Sequence, residues 1–283
     1  MRDLKPHLIQ RAIVGVTVRW QRIIAAPGAR AFARQIRDHR IVDLTRRGKH
    51  LVFHLAPHRG NTPTKFLLTH LRMTGGFHID LPNVPRDKHT HVIFQLDDGR
   101  ELRYRDPRKF GRMWLVDDPA CVVGALGPEP LEISVREFHA LFERRRGRLK
   151  PLLLNQSFLA GLGNIYVDES LWYARLHPLR AAESLTRAER GRLYRAIQHV
   201  LKRAIALGGT SIDVMYKRVN GKRGGFQDNL RAFDRERRPC RRCGTPIQKM
   251  VVAQRGTHFC PTCQRCDGLG EFVIRNSEFE ILS

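Results

Sequence analysis

Two cysteine pairs, Cys240-Arg241-Arg242-Cys243 and Cys260-Pro261-Thr262-Cys263, determine how the C-terminal part of this sequence folds. A C-x2-C pair forms a tight knuckle that directs two sulfur atoms at one point, and two knuckles on a hairpin complete a tetrahedral thiolate site. Disulfides or unpaired cysteines are the alternative, but the paired spacing, in a sequence whose first residues do not resemble a secretion signal, favours zinc. We predict one structural Zn2+ bound by Cys240, Cys243, Cys260 and Cys263, with Cys266 as an alternative to Cys263.

The segment between the two knuckles has the pattern of a β-hairpin. Ile247–Ala253 reads as a strand, Gln254-Arg255-Gly256 as the turn and Thr257–Cys260 as the returning strand. This interpretation places Arg255 at the tip of an arm that the metal would make rigid.

The composition narrows the class of partner. Lysine and arginine total 51 against 27 aspartate and glutamate, a formal net charge of +24, and 42% of the 283 residues are hydrophobic. So many positive charges repel one another, which is expected in a protein that binds a polyanion. Nucleic acid is therefore the first expected partner, and a membrane surface is a distant second. No apolar run reaches the length of a membrane span. Because all cysteines except Cys121 lie within 240–266, a reducing cytoplasm is the expected compartment.

In the rest of the chain, the spacing of apolar residues changes once, from the alternation typical of strands to the spacing typical of helices, after Gly127-Pro128-Glu129-Pro130. A short helix near the start is expected to end at Pro6. From Ile13 to Val116 apolar residues alternate, which predicts many short strands and a β-sandwich. After the change, two helices are predicted from capping boxes, Ser134 with Glu137 and Thr186 with Glu189, and Gly208-Gly209 is expected to end the second helix.

Several motifs, taken together and in this order, resemble the formamidopyrimidine-DNA glycosylase family. They are Arg46-Arg47-Gly48-Lys49-His50-Leu51, His70-Leu71-Arg72-Met73-Thr74-Gly75, Lys88-His89-Thr90-His91-Val92, Asp106-Pro107-Arg108-Lys109-Phe110-Gly111, Gly161-Leu162-Gly163-Asn164-Ile165-Tyr166 with Asp168-Glu169-Ser170-Leu171, and Gln254-Arg255-Gly256-Thr257. Each motif is weak alone, whereas the ordered set from about the first residue to Cys263 is specific. A generic zinc-ribbon nucleic-acid binder would explain the cysteines and the charge but not this order.

The resemblance implies an α+β protein with four segments. These are an N-terminal β-sandwich domain (1–130), a helical domain with a helix–two-turns–helix motif (131–239), a C-terminal zinc β-hairpin (240–263) and an extension (264–283). The implied function is excision of oxidised purines such as 8-oxoguanine and formamidopyrimidines, followed by β,δ-elimination at the abasic site, in base excision repair. The implied partner is double-stranded DNA containing oxidised bases or abasic sites, bound by a monomer in the bacterial cytoplasm and nucleoid.

Two residues are assigned to catalysis by the resemblance. Lys49 is implied to transfer a proton during elimination, although a lysine there could simply contact phosphate. Arg255 is implied in the second elimination, and because a guanidinium group is a poor proton donor we favour stabilisation of the departing phosphate over proton donation.

The remaining site residues are implied to contact DNA. Met73, Arg108 and Phe110 would fill the space left by an extruded nucleotide, whereas the ordinary interpretation makes Met73 and Phe110 core residues. His89, Arg108, Lys150 and Asn164 would bind DNA, and loss of a phosphate ligand at Lys150 would lower the salt slope of binding by about one unit. The basic run 144–150 could equally be a solvated helix face. The glycine-rich segment 208–230 resembles the lid over an oxidised purine.

One departure from the family concerns the nucleophile. Family members begin with a Met-Pro-Glu-Leu-Pro-Glu type stretch, whose proline amine forms the Schiff base with the sugar. The printed sequence starts further along in that register, at Met1-Arg2-Asp3-Leu4. The alternative function is therefore a non-catalytic protein that binds damaged DNA, and the in-frame codons ahead of Met1 would discriminate between the two.

Overall fold

A computed structural model of the chain describes residues 1, 3–58, 63–211 and 223–266. The chain divides into two compact units, one formed by Met1–Glu129 with Ala204–Asp228 and the other by Pro130–Arg203 with Asn229–Ser283. The first unit contains a large β-sheet, and the second contains helices and a two-stranded sheet, which confirms the predicted α+β class. The domain boundaries of the sequence analysis stay a prediction.

Nine strands of the first unit form one hydrogen-bonded sheet, in the order β2-β9-β5-β4-β3-β1-β7-β8-β6. The strands are β1 Ala12–Val18, β2 Ile24–Ala26, β3 His39–Arg47, β4 His50–Pro57, β5 Lys65–His70, β6 Gly76–Asp80, β7 Thr90–Leu96, β8 Glu101–Arg105 and β9 Arg112–Val116. Among the strand pairs of the described residues, β2–β9 is the only parallel one. The alternation of apolar residues between Ile13 and Val116 therefore predicted the strands correctly.

The sheet folds back on itself, so that its two halves pack face to face. In a flat sheet, β4 and β6 would lie roughly 24 Å apart at the ordinary strand spacing. Instead, the rings of Phe53 on β4 and Phe77 on β6 are 5.5 Å apart, and both side chains are buried in one core with residues from β1 to β9. This is the predicted sandwich, built from a continuous sheet.

The helices of the first unit differ from the sequence prediction in two ways. Helix α1, Lys5–Leu8, has Pro6 in its first turn, so the expectation that Pro6 ends a helix is wrong. A proline is tolerated there because the first N–H groups of a helix have no intrahelical partner. Helix α2, Ala29–Ile36, lies within the segment read as strands and buries Phe32 and Ile36 against the sheet. The unit also contains α3, Ala120–Val123, and a 3-10 turn, Gln21–Ile23.

The second unit begins with helices whose ends match the sequence signals. Its helices are α4 Val135–Leu141, α5 Leu149–Leu154, α6 Asn164–Ala174 and α7 Arg187–Ala206, with a 3-10 turn at Ala182–Ser184; a further 3-10 turn, Phe226–Asn229, lies at the boundary of the two units in the sequence. Ser134 and Glu137 form the predicted capping box at α4. Thr186 and Glu189 form the equivalent contacts before α7, and Gly208 and Gly209 follow its end with positive φ angles. Helices α4–α7 share one buried apolar core.

A two-stranded sheet, β10 Gln248–Val252 and β11 Arg255–Phe259, carries the second knuckle. The turn is formed by Ala253 and Gln254, whose φ angles are 48° and 58°, so the predicted turn at 254–256 is wrong by one residue. Two residues with positive φ make the turn type that matches the twist of paired strands. Arg255 is therefore the first residue of the returning strand.

Across the described residues, no helix combines the length and apolar character needed to cross a membrane. The middle of the predicted lid (212–222) and most of the predicted extension (267–283) lie outside the described residues.

Candidate nucleic-acid interface and metal centre

Four cysteines form the metal centre that the two knuckles predicted. The sulfur atoms of Cys240, Cys243, Cys260 and Cys263 all lie within 4.8 Å of one another, and Cys266 is not part of the group. Tetrahedral zinc–thiolate bonds place sulfur atoms about 3.8 Å apart, so this cluster fits Zn2+. The ambiguity between Cys263 and Cys266 is resolved in favour of Cys263.

The surroundings of the cluster attach it to the helices of the same unit. The indole N–H of Trp172 on α6 points to Cys240 Sγ at 3.4 Å, and the guanidinium of Arg242 stacks 3.9 Å from the Trp172 ring. Gln264 is fully buried: its Oε1 accepts from the Cys260 N–H and its Nε2 donates to Leu176 O. Such contacts fix the orientation of thiolate ligands.

Lys150, which the sequence predicted to be a phosphate ligand, is fully buried. Its side chain is 0% exposed, and its Nζ donates to Asp168 Oδ1 at 2.5 Å and to Gly256 O at 3.1 Å. Burial lowers the pKa of Lys150, and the Asp168 carboxylate opposes that change. In this arrangement Lys150 neutralises a buried aspartate between α5, α6 and β11, and its contact with phosphate stays a prediction.

The buried pair connects the helix–two-turns–helix motif to the hairpin. Asp168 Oδ2 accepts from the His258 N–H at 2.9 Å, and Asn164 Nδ2 donates to Gly256 O at 2.8 Å. Asn164 is the first residue of α6, after the cap Gly163. These bonds hold the backbone on both sides of Thr257, next to the exposed side chain of Arg255.

A neighbouring buried carboxylate, Glu169, is held by backbone N–H groups. It accepts backbone N–H bonds from Arg231, Ala232 and Phe233 at 2.8–3.1 Å. Burial raises the pKa of Glu169, and the three N–H donors act against that rise. The sequence motif named this residue but did not indicate that it binds the segment leading to the knuckles.

Met73, Arg108 and Phe110 form one exposed cluster in the first unit. Met73 is 60% and Phe110 49% exposed, which excludes the interpretation that they are core residues. Arg108 connects them: its Nη1 lies 3.1 Å from Met73 Sδ, and its guanidinium carbon lies 4.8 Å from the centre of the Phe110 ring. We call these three residues the exposed triad.

The sheet topology explains why residues so distant in sequence meet. The loop 71–75 leaves β5 and enters β6, and the loop 106–111 leaves β8 and enters β9. β5 pairs with β9 at His70–Arg112, where the first loop begins and the second ends. β6 pairs with β8 at Gly76–Arg105, where the first loop ends and the second begins. The two loops therefore run side by side, with the triad at their outer edge.

Lys49 lies on a two-residue turn that a buried carboxylate holds. Arg47 pairs with His50 across the turn, and Gly48 has a φ of 55°. Glu129 Oε1 accepts from the Gly48 N–H at 2.6 Å, and Oε2 pairs with Arg46 at 2.8 Å. Burial opposes ionisation of Glu129, but the bonds from Arg46 and Gly48 outweigh it and lower its pKa. Lys49 itself is exposed.

Two histidines beside Lys49 were not singled out as site residues from the sequence. The rings of His50 and His70 are 4.8 Å apart, and the backbone N–H of Arg72 donates to His70 Nδ1. Burial lowers the pKa of His70 to about 4, and the charges of Arg72 and Lys49 act in the same direction. The signal in the sequence was the position of His70, three residues before Met73 at the start of the same loop.

His89 is half-buried beside the second of the triad loops. Its carbonyl accepts from the Asp106 N–H at 3.0 Å, and its own N–H donates to Asp87 Oδ1. Within the described residues, the predicted site residues thus form two groups. The first unit holds Lys49, His89 and the triad, and the second holds Lys150, Asn164, Arg255 and the four cysteines.

Comparison with known proteins connects both groups to one family. Family models for the formamidopyrimidine-DNA glycosylase N-terminal domain, its H2TH domain, and the zinc finger found in FPG and IleRS match residues 1–113, 126–216 and 238–265. The formamidopyrimidine-DNA glycosylase of Herpetosiphon aurantiacus is 44% identical over 268 residues, covering 93% of this chain and 96% of that protein. The chain belongs to the formamidopyrimidine-DNA glycosylase family. A relative from Symbiobacterium thermophilum is 45% identical over 93% of this chain and 86% of its own length.

Solved structures of the family give the same result. A complex of a Lactococcus lactis FPG mutant with a Fapy-dG containing DNA matches with a TM-score of 0.85 at 33% identity, covering 94% of this chain and 96% of that one. A complex of the Lactococcus lactis Fpg with an abasic site containing DNA matches with a TM-score of 0.84. The Fpg-like fold of this chain and its single structural zinc site are therefore established, while the roles of individual site residues stay predictions.

Proposed function

We propose that this chain is a bifunctional DNA glycosylase and abasic-site lyase that excises oxidised purines during base excision repair and then cleaves the DNA by β,δ-elimination. The observation that carries the proposal is the exposed triad. Two large exposed apolar side chains on a strongly basic protein, both in contact with one arginine, suit insertion into a base stack rather than contact with water.

The physical argument concerns the cost of extruding a nucleotide. Turning a base out of the duplex breaks stacking and pairing, at a cost of roughly a few kcal/mol that the protein must offset. Met73 and Phe110 supply apolar surface for the vacated space, and the planar cation of Arg108 can hydrogen-bond the base left without a partner. A phosphate-binding protein without this task would have no use for exposed Met73 and Phe110.

DNA binding itself is supported by charge and by helix geometry. The net charge of +24 provides the sequence-independent attraction to phosphates. Asn164 starts an 11-residue helix, α6, whose first N–H groups can bind a phosphate, and His89 is a further candidate ligand. The exposed run 144–146 supplies cations in the same segment from which Lys150 is withdrawn by burial.

The proposed chemistry gives separate tasks to Lys49 and Arg255. Lys49 is an exposed ammonium on a turn fixed by Glu129, as a positioned proton-transfer group requires. Arg255 is an exposed guanidinium beside backbone fixed by Lys150 and Asn164, which suits stabilisation of a departing phosphate. In the family, the amine nucleophile belongs to an N-terminal proline. The oxidised-purine preference rests on the resemblance of the segment 208–230 to the family lid.

The test is base release and covalent trapping on a duplex with one 8-oxoguanine. The chain joined to the family's Pro-Glu-Leu-Pro-Glu beginning, with the helical residues that follow it, is compared with the printed chain and with Lys49→Ala in the extended form. We expect the extended chain to release the base and to form a borohydride-trapped adduct. Lys49→Ala should slow release and strand cleavage by about 10²–10⁴-fold.

Two results would contradict parts of this proposal. Tight binding of the damaged duplex by the extended chain, without base release, would support a non-catalytic protein that binds damaged DNA. Efficient trapping by the printed chain would make Lys49 or the Met1 amine the nucleophile. We also propose that the protein acts as a monomer, which sedimentation of the protein–DNA complex would test.

A further inference from the structure

The loops that carry the exposed triad share one buried anchor, Asp106. Its side chain is 0% exposed and lies at the start of the loop 106–111, below the triad. Its backbone is also held, because its N–H donates to His89 O and its carbonyl lies 2.9 Å from His91 Nε2.

The carboxylate of Asp106 accepts bonds from both loops. Thr74 Oγ1, in the loop 71–75, donates to Oδ1 at 2.6 Å. The backbone N–H of Arg108 lies 3.3 Å from Oδ1, and the backbone N–H of Gly111 donates to Oδ2 at 2.8 Å. Thr74 Oγ1 is the only side-chain group that the described hydrogen bonds bring to Asp106 from the opposite loop.

The Tyr104 hydroxyl lies close to the backbone of both loops, at Gly75 and at Gly111. Its hydroxyl lies 3.4 Å from Asp106 Oδ2, and its ring is fully buried. A Cβ atom added to Gly75 would lie 2.3 Å from this hydroxyl oxygen, and one added to Gly111 would lie 1.7 Å from it. Both glycines are therefore required for the backbone of each loop to approach the same phenol. Burial and then the Asp106 charge raise the pKa of Tyr104, so the phenol keeps its proton as a donor.

Each residue of the triad is joined to this anchor directly or through its neighbour. Met73 precedes Thr74, Arg108 offers its own N–H, and Phe110 precedes Gly111. A change at Asp106 or Thr74 is thus transmitted to all three exposed side chains without touching DNA.

We propose that Thr74, Tyr104 and Asp106 are positioning residues that hold the two loops at a fixed separation, so that Met73, Arg108 and Phe110 enter DNA as one preorganised wedge. This inference rests on the proposed function, because it assigns the residues that prepare the wedge. Fixing the loops before binding removes the ordering cost that two independent loops would incur at the lesion. The anchor therefore favours damaged DNA selectively, since undamaged duplex offers no space for the wedge.

The experiment measures dissociation constants of the full printed chain for two duplexes, one undamaged and one with a central tetrahydrofuran abasic-site analogue. No catalytic step is needed, so the result does not depend on the nucleophile. Thr74→Val keeps the shape and removes the hydroxyl, and we expect the preference for the tetrahydrofuran duplex to fall roughly 10-fold, with little change for undamaged DNA. Thr74→Ser restores the hydroxyl and should restore most of the preference.

A matched control is available in the strand that leads into the first loop. Thr69 on β5 is fully buried, and its Oγ1 has no hydrogen-bond partner among the described residues. Thr69→Val therefore removes a buried hydroxyl without touching the anchor, and it should leave the preference for tetrahydrofuran unchanged. Melting temperatures of all variants show whether each protein is folded at the binding temperature.

A double-mutant cycle with Phe110→Ala separates positioning from general damage to the fold. If Thr74 acts through the wedge, Thr74→Val should cost much less preference in the Phe110→Ala background than alone. Wild-type preference in Thr74→Val, or full additivity with Phe110→Ala, would overturn the inference while leaving the proposed function intact. Equal binding of both duplexes by the wild type would instead remove the proposed function.

Discussion

The exposed triad and the zinc hairpin both present side chains to solvent, but they are held in different ways. The triad loops emerge from a nine-stranded sheet with a large buried core, and they are fixed by hydrogen bonds to one carboxylate, Asp106. The hairpin contributes few apolar side chains, to two small clusters: Met250, Val252 and Phe259 pack with Leu179, and Ile247 packs with Trp172 and Ala232. It depends on four thiolates and on the buried Lys150–Asp168 pair.

The difference follows from the size of the core available to each region. A loop on a large sheet is held by the strands on both sides of it, so a few hydrogen bonds to one carboxylate are enough to set its position. A module as short as 240–263 cannot bury enough apolar surface alone and needs a metal to fold. The buried charges of Lys150 and Asp168, on the helices beside the hairpin, are tolerated because the ammonium lies within hydrogen-bond distance of the carboxylate.

The largest expected effect is that of removing one thiolate. Cys240→Ser should abolish zinc binding and unfold the hairpin, because structural zinc contributes on the order of 10 kcal/mol of folding free energy to such modules. The sheet unit should keep its own unfolding transition. Elemental analysis and calorimetry measure both outcomes, and a Cys240→Ser protein with full zinc content would contradict the metal assignment.

Cys121→Ser is the matched control for that experiment. Cys121 is exposed and lies outside the cluster, with its thiol near Asp118 O. The variant should retain one zinc per chain, and Cys266→Ser should do the same because Cys266 is not among the clustered sulfurs. Zinc loss in either variant would mean that the ligand set is different.

The next effect in size is expected at the buried ion pair. Lys150→Met leaves the Asp168 carboxylate buried without its cation, which costs about 3–5 kcal/mol. The double variant Lys150→Met/Asp168→Asn should recover part of this loss in denaturant unfolding. If Lys150 instead bound phosphate, Lys150→Met would leave stability unchanged and lower the salt slope of DNA binding by about one unit.

A smaller, pH-dependent effect on stability is expected at Glu129, a buried carboxylate in the sheet unit. The pKa of Glu129 is lowered in the folded state, so its contribution is complete above the unfolded value of 4.5 and is lost as pH falls through the folded value. We expect Glu129→Gln to lower stability at pH 7 by about 1–3 kcal/mol, the cost of weakening buried charged hydrogen bonds.

The check on Glu129 is the pH profile of thermal unfolding for wild type and Glu129→Gln. The difference between the two proteins should be constant from pH 7 to 5 and should shrink below the unfolded pKa. A difference that grows as the pH falls would contradict the assigned direction of the shift.

The smallest effect is expected for an exposed ion pair between the hairpin and the segment that precedes it. Lys249 and Glu236 lie 3.5 Å apart with side chains 46% and 45% exposed. Such pairs contribute about 0–1 kcal/mol, so Lys249→Ala should barely change the melting temperature. If Lys249→Ala lowered stability as much as Lys150→Met, the different burial of the two lysines would not explain how much each contributes.

The sequence predicted the elements whose signals are local. Cysteine spacing gave the metal ligands, alternation gave the strands, and the capping boxes at Ser134 and Thr186 gave two helix starts. The errors were also local: α2 was missed within a β-rich segment, Pro6 was placed at the wrong end of a helix, and the hairpin turn was shifted by one residue.

Contacts between residues that are distant in the sequence could not be predicted from local sequence patterns. Lys150 follows a run of exposed arginines, and nothing near it in sequence shows that Asp168 and Gly256 surround its ammonium group. The link from Thr74 to Asp106 depends likewise on two loops that cross between the same pairs of strands. Exposure of Met73 and Phe110 could be decided only from the folded sheet.

The most direct test of the account is whether the triad, and not the charge of the protein, discriminates damaged from undamaged DNA. The measurement is the ratio of dissociation constants for undamaged and tetrahydrofuran-containing duplex, at several salt concentrations, for wild type and the double variant Met73→Ala/Phe110→Ala. We predict that the variant loses most of the ratio while keeping the wild-type affinity and salt slope for undamaged DNA, because its cations are unchanged. A variant that keeps the wild-type ratio would contradict the account.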